Sequence, residues 1–169
     1  GPDLAPVLRV PIGSQGICLS PDRASLAGVG ADGSVRLYDV DSGRELRDWR
    51  AHDAPILCAR YLTENLLATG AEDYTARVWN LPGGELVAEF AGLESIVVRL
   101  AATPDGSRVF VSPMRGSPTV WDLRSGRALL VLDGHAPALF QTGLEPLGDG
   151  RFVTADSGGT LRVWRTLGD

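Results

Sequence analysis

Two histidines, two cysteines and two close pairs of acids are the side chains of this 169-residue chain that could carry reaction chemistry. His52 and His135 would serve as general bases or metal ligands only beside partners at short, fixed spacing. No His-x-x-x-His, Cys-x-x-Cys or Gly-x-Ser-x-Gly sequence supplies such partners. The acid pairs Asp39/Asp41 and Glu72/Asp73 would suit glycosidase chemistry if they faced one cleft about 5–10 Å apart. Both lie in turn-like sequence, where carboxylates accept local backbone N–H groups instead. Cys18 and Cys58 fall inside separate apolar stretches and read as small buried hydrophobes, with a disulfide or metal pair as the alternative. All sixteen basic residues are arginine, which removes lysine Schiff bases and phosphate-loop lysine chemistry. A Ser/His/Asp triad assembled across the fold stays geometrically open, but nothing singles one out. The chain is therefore expected to be non-enzymatic, with no cofactor and no metal.

The elements that would position these residues are short. The chain is 44% hydrophobic and 22% charged, with 21 glycines and 11 prolines, which suits many brief strands joined by tight turns. A net charge of −5 argues against a nucleic-acid partner, because phosphate binding needs a basic excess. No apolar run reaches the ~18 residues of a membrane span. The expected compartment is a reducing cytoplasm, and the lysine-free, Ala/Leu/Gly-rich composition suggests a high-GC bacterial source. The opening Gly-Pro reads as the scar of a cleaved tag and leaves a removed leader open.

Four β-prone stretches end on an aromatic followed by a polar residue: Tyr38-Asp39, Trp79-Asn80, Trp121-Asp122 and Trp164-Arg165. The aromatics are 41, 42 and 43 residues apart. A period of about 40–45 residues with such an ending is the size of one four-stranded propeller blade. Each unit repeats one grammar of apolar strand, Pro-Asp-type turn, strand, Asp/Gly turn, aromatic strand, Ser-Gly or Gly-Gly turn, outer strand. The units are expected at roughly residues 17–49, 56–90, 96–132 and 139–166, within one domain spanning 1–169. The fourth lacks an outer strand, and an unassigned stretch at residues 6–10 precedes the first, as a closing ring would need.

The pattern resembles the WD-repeat β-propellers over essentially the whole chain. The second unit carries it best, with Ala51-His52 where the family has Gly-His, followed by LATGAEDYTARVWN. The resemblance implies an all-β fold of four blades and a hydrogen-bond relay of His52, Asp73, Thr69 and Trp79. The fourth unit keeps Gly134-His135, Thr154 and Trp164 but has Gly158 at the acid position. The first has Asp32, with Tyr38 for Trp and Gly28 at the Ser/Thr position; the third keeps Trp121 but has Leu93, Val111 and Arg115 at the other three. Arg36, Arg77 and Arg162 recur at one repeat position and read as structural. The resemblance further implies that peptides or partner proteins bind the rim carrying the His loops. By position the candidates are Asp53, Glu72, Tyr74, Met114, Arg115 and Ser157.

Propellers have about four to eight blades, and the resemblance implies wedges near the seven-fold value of about 51°. Four such wedges cover little more than half a circle and would leave two apolar blade faces bare. The expectation is a homodimer forming one eight-bladed ring, with residues 6–10 of one chain completing the last blade of the other. The rivals are a true four-bladed ring and a fragment of a longer propeller. The expected function is a protein-interaction scaffold; the alternative is a sensor or regulatory module of a larger bacterial signalling protein such as a nucleotide-switch ATPase or kinase.

Overall fold

Strand after strand doubles back on its neighbour throughout the chain. The computed structural model describes residues 14–133, 141–147, 151–156 and 158–165. The stretch at 6–10 expected to complete a blade lies outside them. The first sheet holds β1 (Ser14–Leu19), β2 (Ser25–Gly30), β3 (Ser34–Asp39) and β4 (Glu45–Arg50) in that order. The second holds β5 (Ile56–Thr63), β6 (Leu66–Ala71), β7 (Ala76–Asn80) and β8 (Glu85–Phe90). The third holds β9 (Val97–Ala102), β10 (Arg108–Pro113), β11 (Thr119–Asp122) and β12 (Arg127–Val131). Three strands of the fourth are described, β13 (Gln141–Pro146), β14 (Arg151–Asp156) and β15 (Leu161–Arg165). All neighbours are antiparallel, and no helix forms among the described residues.

The register is the same in every sheet. Tyr38 faces Leu26, Trp79 faces Leu67, Trp121 faces Val109 and Trp164 faces Phe152. In the first three sheets the register against the outer strand shifts just before the aromatic. Such a bulge sharpens local twist. Five residues beyond each of these three aromatics stands a glycine of positive φ, at Gly43, Gly84 and Gly126. Its N–H donates to the carbonyl of Asp39, Asn80 or Asp122 and closes the turn. A Cβ would resist that left-handed backbone, which is why the turns read Ser-Gly and Gly-Gly.

A sheet that packs on both faces cannot show simple in–out alternation. β6 is buried at five of its six positions and β10 likewise. Three apolar seams result, one between each successive pair of sheets. The first joins Ala27, Val29, Val35 and Leu37 to Tyr61, Leu67 and Trp79. The second joins Ala68, Val78 and Phe90 to Leu100, Val109 and Trp121. The third joins Phe110, Val120 and Leu132 to Phe152 and Trp164. The first-in-sheet strands β1, β5, β9 and β13 touch in succession, as strands around a common axis must.

Candidate binding rim

The second sheet supports one end of the molecule with a chain of buried polar groups. His52, in the loop between β4 and β5, is fully enclosed. Its Nε2 lies 2.7 Å from Thr69 Oγ1 on β6, and its Nδ1 lies 2.9 Å from Asp73 Oδ2 in the β6–β7 turn. Trp79 on β7 donates its indole N–H to the same Thr69 oxygen at 2.9 Å. One assignment of protons satisfies all of them: Trp79 donates to Thr69, Thr69 to His52 Nε2, and His52 Nδ1–H to Asp73. Thr75 adds a further clamp, donating to Asp73 Oδ1 through both its hydroxyl (2.7 Å) and its backbone N–H (3.1 Å). Thr75 is part of the site that sequence reading missed; an Asp-x-Thr spacing at a turn was its only signal.

Burial is the main influence on His52 and pushes its pKa below the ordinary value of 6.5, against the opposing pull of Asp73. Burial also opposes ionisation of Asp73, but the hydrogen bonds from Thr75 and His52 outweigh it and hold its carboxyl below the usual range. A neutral imidazole between a hydroxyl donor and a carboxylate therefore carries the loop at neutral pH. The linkage has a definite sign. Below pH 6.5 the unfolded chain takes up a proton that folded His52 resists, so stability falls with acid until the depressed folded value is passed. Thermal melts taken from neutral to mildly acid pH should show this loss, and His52→Gln should flatten it while lowering stability at neutral pH. A wild-type melt insensitive to that range would contradict the arrangement.

The relay differs from sheet to sheet. In the third, Trp121 donates to Thr119 Oγ1 at 2.7 Å, because Val111 offers no hydroxyl. In the fourth, Trp164 donates to buried Thr154 at 2.8 Å. Here Asp156 is a buried carboxylate that accepts the Thr160 N–H at 2.9 Å. A Cβ at Gly158 would stand 3.2 Å from Asp156 Oδ1. The acid has thus moved two residues upstream and fills the space its absence at Gly158 leaves. His135 and Ser157 lie outside the described residues.

The turn held by this relay presents an aromatic outward. Tyr74 follows Asp73 with φ of 63° and is 51% exposed. A positive φ is uncommon for a bulky residue, and the Asp73–Thr75 bonds on either side hold it there. Glu72 is exposed beside it, its N–H tied to Pro55 O. Asp53 is exposed in the His52 loop and pairs with Arg50 Nε at 3.3 Å. Met114 and Arg115 occupy the equivalent turn of the third sheet, Met114 half-buried and Arg115 exposed. Next to that turn lies a groove of about 290 Å³ lined by Leu93, Glu94, Pro113, Gly116 and Asp133. Leu93 stands there at the position His52 holds in the second sheet.

The remaining candidates for chemistry take structural parts. Asp39 Oδ1 accepts the Ser42 N–H at 2.8 Å within its turn. Arg36 bridges Asp32 and Asp48, and Arg77 pairs with Glu89 while donating to Ala51 O. Cys18 and Cys58 are free thiols, each pushed up to about 12 by burial and so protonated and unreactive. Among the described residues no three His, Cys, Asp or Glu side chains gather as a metal site, and no helix is long and apolar enough to cross a membrane.

The family model "WD domain, G-beta repeat" matches residues 9–39 and 43–80, the stretch that builds the first sheet and the relay. Residues 9–80 carry two WD40 repeats. Over 102 residues the chain is 28% identical to "Periodic tryptophan protein 2 homolog" of Schizosaccharomyces pombe, covering 60% of this chain and 12% of that protein. The chain spans 6 to 19% of the length of the curated relatives it matches. Among solved structures, the computationally designed Ika4 protein superposes with a TM-score of 0.81 at 25% identity, covering 96% of this chain and 99% of that one. The RRP9 WD40 repeats superpose with a TM-score of 0.80 at 24% identity, covering 89% of this chain and 47% of that one. The fold is a WD-repeat β-propeller arrangement.

Proposed function

We propose that this chain is a non-enzymatic protein-interaction scaffold that takes a peptide or partner protein on its loop-bearing rim and completes its ring with a second copy. The observation that carries the rim reading is Tyr74, an exposed aromatic fixed in a left-handed turn by Asp73, Thr75 and His52. A rigid aromatic loses little entropy on contact, and tyrosine is enriched at binding hot spots. Asp53 in the His52 loop and Glu72 in the same turn add exposed charge, and the groove beside Met114–Arg115 extends the surface onto the next sheet. Met and Arg are enriched at interfaces. One matched relative, "WD40 repeat protein poxJ" of Penicillium oxalicum, is named for its repeats and not for a reaction.

A second reading is a sensor or regulatory module of a larger bacterial signalling protein. The small share of each relative that the chain spans favours it, because these repeats sit within much longer proteins there. Cytoplasmic location belongs to either reading.

The test is affinity capture from the source organism with the parent chain, Tyr74→Asn and Met114→Glu/Arg115→Glu. Asparagine tolerates the left-handed backbone and removes only the ring. Capture should fall at least about ten-fold in each variant, as for a hot spot, with melting temperatures unchanged. Equal recovery by all three sinks the rim assignment.

A further inference from the structure

Resting on the reading of a scaffold closed by a second copy, we infer which surfaces make the closure. The outer face of the fourth sheet, at Leu161 and Val163, docks on the outer face of the first sheet of another copy, at Ile17 and Leu19.

The repeat provides its own internal comparison. Val163 stands immediately before Trp164, as Leu37, Val78 and Val120 stand before Tyr38, Trp79 and Trp121. Val78 is 0% exposed and Val120 1%, each packed in a seam against the following sheet, whereas Val163 is 55% exposed. Leu161, two residues earlier, is 65% exposed where its counterparts Val35 and Ala76 are buried. Position by position, the fourth sheet presents the face that the other three cover.

The first sheet shows the reciprocal deficit. Ile17 pairs with Gly28 and Leu19 with Leu26; the same register sites hold Ala59 and Tyr61 on β5, and Leu100 and Ala102 on β9. Those four pack into seams against the preceding sheet. Ile17 is 63% exposed and Leu19 51%. No contact comparable to those between β1, β5, β9 and β13 joins β13 back to β1 among the described residues.

The occupant of each face must therefore resemble a blade of this repeat, presenting the opposite kind of face. The chain leaves over one of each kind. A second copy related by a two-fold axis along the common centre supplies both at once, so every seam becomes equivalent to the three inside the chain. Eight sheets then share the circle at about 45° each, within the propeller range. The curvature is compatible, since the same arc overlays slightly under half of the RRP9 chain. An apolar face of the kind that the repeat buries everywhere else seldom stays bare on a monomer.

Light scattering and sedimentation of the 169-residue chain at tens of micromolar should give twice the chain mass of 17.9 kDa. Ile17→Arg and Val163→Asp should each drop to the single-chain mass with an unchanged circular dichroism spectrum, because both positions are exposed within one chain. Mixing the two variants should restore the doubled mass. One seam then keeps the native Val163 and Ile17, and the other sets the introduced carboxylate against the introduced guanidinium. A parent chain of single mass, or one that grows beyond a dimer, overturns the proposal. So does a mixture that fails to recover. A monomer that still captures its partner would sink the seam and spare the rim; a dimer that captures nothing would do the reverse.

Discussion

Phe90→Ala should lower the unfolding free energy by about 3–5 kcal/mol, the range for truncating a fully buried phenylalanine. Phe90 ends the outer strand of the second sheet, is 0% exposed, and stacks on Trp121 with ring centroids 4.8 Å apart. Its loss leaves a void in a seam of side chains such as Val78, Val97 and Val111, held on hydrogen-bonded strands that can close it only in part. Aromatic stacking adds about 0.5–1.5 kcal/mol beyond area burial, so the cost belongs at the upper end. The same place in the repeat is held by Trp49, which meets Trp79 edge-on at 6.0 Å, and by Leu132, packed in the cluster with Trp164. Eleven residues past each of the first three aromatics, then, a large apolar side chain reaches over to the next sheet's tryptophan. Urea unfolding followed by fluorescence measures the effect, with the slope against denaturant unchanged if only the seam is weakened. A loss under about 1 kcal/mol would mean that the second and third sheets do not pack as described.

That outer-strand rule marks where reading the sequence stops. The aromatic period is legible because one residue type does one job: an indole or phenol at a fixed register spot across from the second strand. The reaching residue has no such signature, because Trp49, Phe90 and Leu132 share only bulk and apolarity, and the outer strands that hold or precede them otherwise expose most of their positions. Relay geometry is partly legible for the same reason. His52, Thr69, Asp73 and Trp79 are chemically specific, whereas Thr75 looks like any turn hydroxyl until its clamp on Asp73 is seen. Asp156 is harder still. It sits two residues away from the expected acid, and only the space at Gly158 reveals that its carboxylate has filled the gap. The bare terminal faces could be anticipated from the number of repeats, but the residues that form them depend on which side of each pleat turns outward. That follows from register, and a one-residue slip would have reversed it.

Gly33→Ala should be severely destabilising, costing on the order of 3 kcal/mol or more. Gly33 lies in the turn between β2 and β3 with φ of 77°, and its carbonyl accepts the N–H groups of both Ala51 and His52. A Cβ there would stand 2.2 Å from His52 O and 3.1 Å from Ala54 O. Both are backbone atoms, so no side-chain rotation relieves the overlap. The loop carrying His52 must move, and moving it parts the imidazole from Thr69 and Asp73, leaving buried polar groups without partners at about 1–3 kcal/mol each. Gly126→Ala provides the control. It shares the left-handed backbone, with φ of 66°, but nothing lies within 4 Å of its Cβ direction. That substitution should cost only the conformational penalty of about 1–2 kcal/mol. The gap between the two isolates the clash and what it does to the relay. The acid-dependent loss of stability assigned to His52 should also vanish in Gly33→Ala and persist in Gly126→Ala, because only the former releases the ring to solvent. Equal losses in both variants, with the pH response intact, would show that the His52 loop is not seated on Gly33.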